Sequence, residues 1–126
     1  MNEQIWRALE SDRTIDITTT GRVSGLPRRI EIWFHNVDDT IYITGTPGTR
    51  DWYANILAEP SFTFHLKDST QADLAATADP VTDPGERRRL LEVITDRVGA
   101  SRPIEDWVAE SPLVRVEFER PATAPN

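Results

Sequence analysis

Hydrophobic and polar positions alternate along much of the chain. In Thr14–Thr20, Ile15 and Ile17 fall on one side and Thr14, Asp16 and Thr18 on the other, the period of a half-buried strand. Over residues 28–36, Ile30, Ile32 and Phe34 share one face while Arg29, Glu31, Trp33 and His35 share the other. Val37, Asp38 and Asp39 read as a tight turn. Thr40–Thr44 then alternates Ile41 and Ile43 against Tyr42 and Thr44, which completes a hairpin. A second hairpin is predicted from residues 61–67, with Phe62, Phe64 and Leu66 inward, and residues 71–78. Leu113–Phe118 gives a sixth strand, with Val114, Val116 and Phe118 on one face.

The helical signals are fewer. Thr49 is placed to cap a short helix over residues 50–58, with Trp52, Tyr53, Ile56 and Leu57 as its buried side and Pro60 as its stop. Asp83, Pro84, Gly85 and Glu86 make a helix start, and Leu90, Leu91, Ile94 and Val98 repeat at helical spacing up to Gly99. About six strands with two or three helices, and no strand-helix-strand rhythm, predict an α+β, mainly β architecture. The expectation is an antiparallel barrel with helices packed outside it. One domain over residues 1–126 is expected, with residues 121–126 as a flexible tail.

Length and charge narrow the picture. The chain has 126 residues, the size of one domain, and no cysteine, which excludes disulfides, iron-sulfur clusters and cysteine-bound zinc. Lys and Arg total 14 against 21 Asp and Glu, a net charge of -7, the wrong sign for a general binder of nucleic acid or anionic membrane. No apolar run has the length of a membrane span or the form of a signal peptide, so a cytoplasmic protein is expected. Lys67 is the single lysine, a bias that fits a high-GC genome and a salty cytoplasm equally.

Dinucleotide, P-loop, zinc-protease and nucleophile-elbow motifs are absent. His35 and His65 are the only histidines and read as exposed strand residues with ordinary partners, so no metal site is expected. The Arg87, Arg88 and Arg89 run reads as a solvated helix face. The loop from Gly21 to Arg29 stands apart. It carries Arg22, Arg28 and Arg29, two glycines and Ser24, with no acid, in an acidic protein. Glycines let backbone amides approach a ligand, and arginine forks onto phosphate or carboxylate, so this is a local anion receptor. Thr46, Pro47, Gly48, Thr49 and Arg50 form a second candidate at a helix N-terminus. With Trp33, Tyr42, Trp52 and Tyr53 close to these loops in sequence, an elongated, phosphorylated aromatic ligand of flavin type is indicated.

These words, from Thr18-Thr19-Thr20-Gly21-Arg22-Val23-Ser24-Gly25-Leu26-Pro27-Arg28 to Trp52-Tyr53-Ala54-Asn55-Ile56-Leu57-Ala58-Glu59-Pro60, resemble the deazaflavin-dependent nitroreductase family. That family belongs to the flavin/deazaflavin oxidoreductases of split β-barrel fold, relatives of pyridoxamine phosphate oxidase. The resemblance is close over about residues 14 to 67. It implies coenzyme F420, a deazaflavin with a phosphate and an acidic tail, and hydride transfer to a small electron-poor acceptor such as a quinone, nitroaromatic or enone. It implies that Arg22, Ser24, Gly25 and Arg28 meet the phosphate and tail, that Thr46, Pro47 and Gly48 lie along the ring, and that Trp52 and Asn55 belong to the helix beside it. Arg29 and Arg50 join the cofactor set on charge and position. Trp33, Tyr42 and His35 are the candidates for the substrate side, with no residue assigned as an obligate acid or base. Val23 stands where many members carry a basic residue, which keeps FMN as the alternative cofactor, and Glu31 stands near where some carry a proline. A non-enzymatic cofactor-binding module uses the same loops. Superfamily members often pair, so a homodimer is compatible.

Overall fold

The computed structural model describes residues 1–119; the tail expected at residues 121–126 lies outside the described residues. The period-two segments form six antiparallel strands, β1 (Thr14–Thr20), β2 (Pro27–Val37), β3 (Thr40–Thr44), β4 (Ser61–Leu66), β5 (Ala72–Pro80) and β6 (Leu113–Phe118). They close into a barrel in the order β1-β2-β3-β6-β5-β4, and both expected hairpins, β2 with β3 and β4 with β5, are present.

Alternation turns Ile15, Ile17, Phe34, Ile43, Phe64 and Val114 inward, where they are fully buried. Phe64 stacks edge-on against Phe34 and Phe118, with ring centroids 5.4 and 5.1 Å apart. The register is uneven along β2. Residues 27–33 pair with β1, but β3 pairs only with residues 34–37, so the first seven residues of β2 have a strand on one side only. The barrel is split there.

Four helices complete the fold among the described residues. α1 (Glu3–Ser11) and α2 (Asp51–Ala58) contribute Ala8, Leu9, Trp52 and Ile56 to the barrel core. α3 (Pro84–Val98) and α4 (Ile104–Glu110) cover the outside of the barrel over a second cluster that includes Val37, Tyr42, Leu90, Leu91, Ile94 and Trp107. α3 begins as expected, Asp83 Oδ2 accepting the Glu86 N–H at 2.9 Å, and ends at left-handed Gly99.

Several sequence expectations change. Arg50, not Thr49, precedes α2, and makes no side-chain cap. The buried side of α2 is Trp52, Asn55 and Ile56, at helical spacing, and Leu57 points to solvent. His65 is buried rather than exposed: Nε2 meets Thr18 Oγ1 and Nδ1 meets Asp73 Oδ1, each at 2.7 Å. Arg87 is no solvated residue either. It donates to the carbonyls of Val81 and Val108, both at 2.9 Å, and Ser111, at 2.7 Å, which ties α3 to α4 and to the approach of β6.

Candidate functional site

β1 delivers the chain to the arginine-rich loop at one end of the barrel. The loop is closed by its own backbone: the Gly21 N–H donates to Leu26 O and the Gly25 N–H to Gly21 O, both at 2.8 Å, while Ser24 Oγ accepts the Leu26 N–H at 3.1 Å. Gly25 adopts φ +72°, and a Cβ at Gly21 would sit 2.6 Å from Ser24 Oγ and 3.2 Å from Leu26 O. The turn therefore requires glycine at both places.

The loop is held against α2 by one side chain. Asn55 Oδ1 accepts the Arg22 backbone N–H at 3.1 Å and Arg22 Nη1 at 2.9 Å, and Asn55 Nδ2 donates to Thr19 Oγ1 at 3.3 Å. Asn55 is 4% exposed, so both ends of its amide are committed to protein. Arg22 also reaches the first turn of α2, with Nη2 donating to Asp51 Oδ1 at 3.2 Å.

A cleft of about 450 Å³ opens between this loop, β2 and α2, bordered by Gly21, Arg22, Ser24, Arg28, Ile30 and Trp52. Arg28 lies opposite Thr19 in the β1–β2 register and makes no hydrogen bond or ion pair among the described residues. Ile30, on the face that is buried elsewhere, is 37% exposed, whereas Ile17 across from it on β1 is fully buried. Two arginines therefore stand beside an uncovered apolar strand face.

The remaining expected residues fall elsewhere. Arg29 is turned by strand alternation to the outer face, where Nε donates to Asp16 Oδ2 at 3.0 Å. Lys67 joins the same group, 2.6 Å from Asp16 Oδ1 and paired with Glu31. The Lys67 ammonium holds the Asp16 carboxyl below its ordinary range, with Arg29 adding to the effect. Arg50 spends its guanidinium on its own loop, donating to Thr49 O at 2.8 Å and to Thr46 O at 3.0 Å. It shapes the segment of Thr46, Pro47 and Gly48, whose Gly48 N–H donates to Glu110 O at 3.2 Å, and none of the three lines the cleft. Tyr42 is 4% exposed and packed in the second cluster, Trp33 is 48% exposed on the outer face, and His35 borders a different cavity. The structure does not bring these three to the cleft. Thr19, Ile30 and Asp51, which sequence reasoning did not select, are there.

A family described as F420H(2)-dependent quinone reductase matches residues 2–117. The chain belongs to that family. It is an F420-dependent reductase, and coenzyme F420 is its cofactor. Solved structures agree on the fold. The conserved hypothetical protein Rv2991 of Mycobacterium tuberculosis is 20% identical, with TM-score 0.72, covering 95% of this chain and 82% of its own. An F420 reductase is 21% identical, with TM-score 0.68, covering 90% and 92%. A Listeria innocua protein provisionally assigned as a pyridoxamine 5'-phosphate oxidase is 14% identical, with TM-score 0.70, covering 94% and 93%. Among curated proteins no sequence match is found.

The cleft's own chemistry fits this cofactor. A phosphate and acidic tail require cations with unspent donors, and Arg28 is one; a flat ring requires an apolar wall without covering side chains, and Ile30 beside Trp52 provides it.

Proposed function

We propose that the reductase acts on a small, uncharged, electron-poor acceptor in the cytoplasm, a quinone before a nitroaromatic or an enone, at the cleft between the Gly21–Pro27 loop, β2 and α2. The observation that carries this reading is the exposed inner face of β2 at Ile30, apolar and strandless on one side, directly beside Arg22 and Arg28. An ionic end and an apolar end in one cleft suit an anionic cofactor together with a neutral acceptor. Arg28 and Arg22 receive the phosphate and acidic tail beside Ser24, whereas Gly25, expected there from the sequence, lines a neighbouring cavity with Thr18 and Pro27. Trp52 and Ile30 exclude water from the ring side, where a charged acceptor would have to be desolvated. When bound, the reduced deazaflavin supplies the hydride. Asn55 acts through Arg22 as a positioning residue, fixing its backbone and guanidinium together.

The test is steady-state oxidation of reduced F420 by the purified protein with a soluble naphthoquinone, a nitroimidazole and a cyclohexenone compared in parallel. Turnover with the quinone at the highest kcat/KM is expected. Turnover with none of the three, by protein that binds F420, would remove the acceptor assignment while leaving the cofactor in place.

A further inference from the structure

A second cluster of reactive side chains lies on the outer barrel face, on strands whose alternation buries Ile17 and Phe64 within. His65 on β4 stands in register with Asp73 on β5, and Thr18 on β1 is its diagonal neighbour. The His65 residue is 6% exposed and both ring nitrogens are engaged, Nε2 with Thr18 Oγ1 and Nδ1 with Asp73 Oδ1, each at 2.7 Å. These bonds fix the proton positions. The hydrogen bond from His65 holds the Asp73 carboxyl below its ordinary range, with the charge of Arg29 adding to the effect. The ionised carboxylate only accepts, so Nδ1 carries the ring proton. In the neutral imidazole Nε2 is then an acceptor, and the Thr18 hydroxyl donates to it.

A buried imidazole needs partners for both nitrogens, and Thr18 and Asp73 meet that need. Two further features exceed it. Thr18 borders a cavity of about 370 Å³, together with Thr63 and Ala75 of the same cross-strand row and with Ser61, Pro27 and Glu119. Only Thr19 borders both this cavity and the cofactor cleft, and its hydroxyl already accepts from Asn55. The second feature is a cation. Arg29 stands directly opposite Thr18 in the β1–β2 register, on the same outer face. It spends Nε on Asp16 and leaves both Nη nitrogens without a partner among the described residues.

We propose that Thr18, His65, Asp73 and Arg29 form a second catalytic site, separate from the cofactor cleft, that hydrolyses small neutral carboxylic esters. A nucleophile on a base that a third group orients, beside a cavity and a cation with spare donors, is the constellation acyl transfer needs. Thr18 Oγ1 bonds to the ester carbonyl carbon as its proton passes to His65 Nε2. The carbonyl electron pair moves onto oxygen, which the free Arg29 Nη donors meet. The C–O bond to the alcohol then breaks, and the alcohol leaves with the proton from Nε2. Water attacks the acyl-Thr18 carbonyl in turn, its proton returning through Nε2 to Thr18 Oγ1 as the acid is released. Asp73 is a positioning residue, holding the ring in the accepting tautomer. Nothing is oxidised or reduced, and F420 takes no part.

The experiment follows hydrolysis of p-nitrophenyl acetate by the full chain without cofactor, with mass spectrometry of the acylated protein. The expected result is a burst of nitrophenol, slower turnover afterwards and an acetyl group on Thr18. Thr18→Val keeps the side-chain shape without the hydroxyl, and its rate should fall to that of buffer. Asp73 is 75% exposed, so Asp73→Asn spares the packing and keeps the proposal testable if Thr18→Val fails to fold. Its rate should fall about tenfold or more with KM unchanged, and Asp73→Glu should restore part of it. Arg29→Gln should cost about tenfold or more as well. Saturating F420 should leave the wild-type rate unchanged. No hydrolysis above buffer, a rate that Thr18→Val and Asp73→Asn both leave intact, or acetyl on Lys67 or the amino terminus in place of Thr18 would overturn the site. So would hydrolysis that F420 blocks, which places it in the cofactor cleft.

Discussion

At the scale of the residue, the two arginines of the cleft are in different conditions. Arg22 already has an amide and a carboxylate, and Arg28 has neither. Gly21 sets the loop that carries Arg22 and leads into β2 just before Arg28. Gly21→Ala places a methyl carbon against Ser24 Oγ and a backbone carbonyl, so the loop must open. F420 affinity is expected to fall at least tenfold in a binding titration, while the barrel's far-ultraviolet circular dichroism is unchanged. His35 gives a prediction for pH. Its folded ionisation lies near 4 and its unfolded value near 6.5, so the unfolded chain takes up the proton first as pH falls. The associated stability is complete above about pH 6.5 and is lost progressively down to about pH 4. Between about pH 7.5 and about pH 5.5 the wild type should lose about 1 kcal/mol in urea unfolding, and His35→Gln should remove that loss. An equal loss in both proteins would assign it to other groups.

At the scale of the element, the outer cluster depends on Arg87, which ties α3 to the backbone of α4 and of the segment before β6. Arg87→Met leaves several carbonyls without a donor and should cost about 2 to 4 kcal/mol in denaturant unfolding. The β2–β3 turn offers the opposite effect. Asp38 and Asp39 both hold positive φ, 53° and 67°, the geometry that Asn-Gly adopts with less strain. The double replacement Asp38→Asn with Asp39→Gly should raise stability by about 1 kcal/mol. Strands were the legible part of this fold. The period-two segments in Thr14–Thr20, Thr40–Thr44 and Leu113–Phe118 are β1, β3 and β6, and β2 extends its expected span by one residue at each end. α1 and α4 were not legible, because α1 buries only Ala8 and Leu9 and α4 buries only Trp107 without a capping side chain. That the arginine-rich loop and α2 carry a candidate site was readable, and the structure sets them on either side of one cleft. Alternation already separated Arg28, on the face of Ile30, from Arg29, on the face of Glu31. What covers an outward face was not readable: α3 and α4 bury Tyr42, and the folding of Arg50 back onto its own loop depends on the path of a side chain.

At the scale of the molecule, a barrel split along one strand exposes an apolar face beside cations in a protein of net charge -7. Among the described residues no helix is long and apolar enough to cross a membrane. The local sign of charge, opposite to the global one, makes anion recognition at the cleft dependent on salt, since screening weakens a partly exposed arginine contact. It also makes the choice of cofactor a question of how many charges the two arginines meet. The most direct measurement is a fluorescence titration of the apo-protein with F420 and with FMN, in low and high salt, for wild type, Arg22→Gln and Arg28→Gln. The account predicts preference for F420, weaker binding in high salt, and a loss of roughly 10- to 100-fold in Arg28→Gln from one charged contact of about 1.5 to 3 kcal/mol. Preference for FMN, or F420 binding that neither substitution changes, would contradict it.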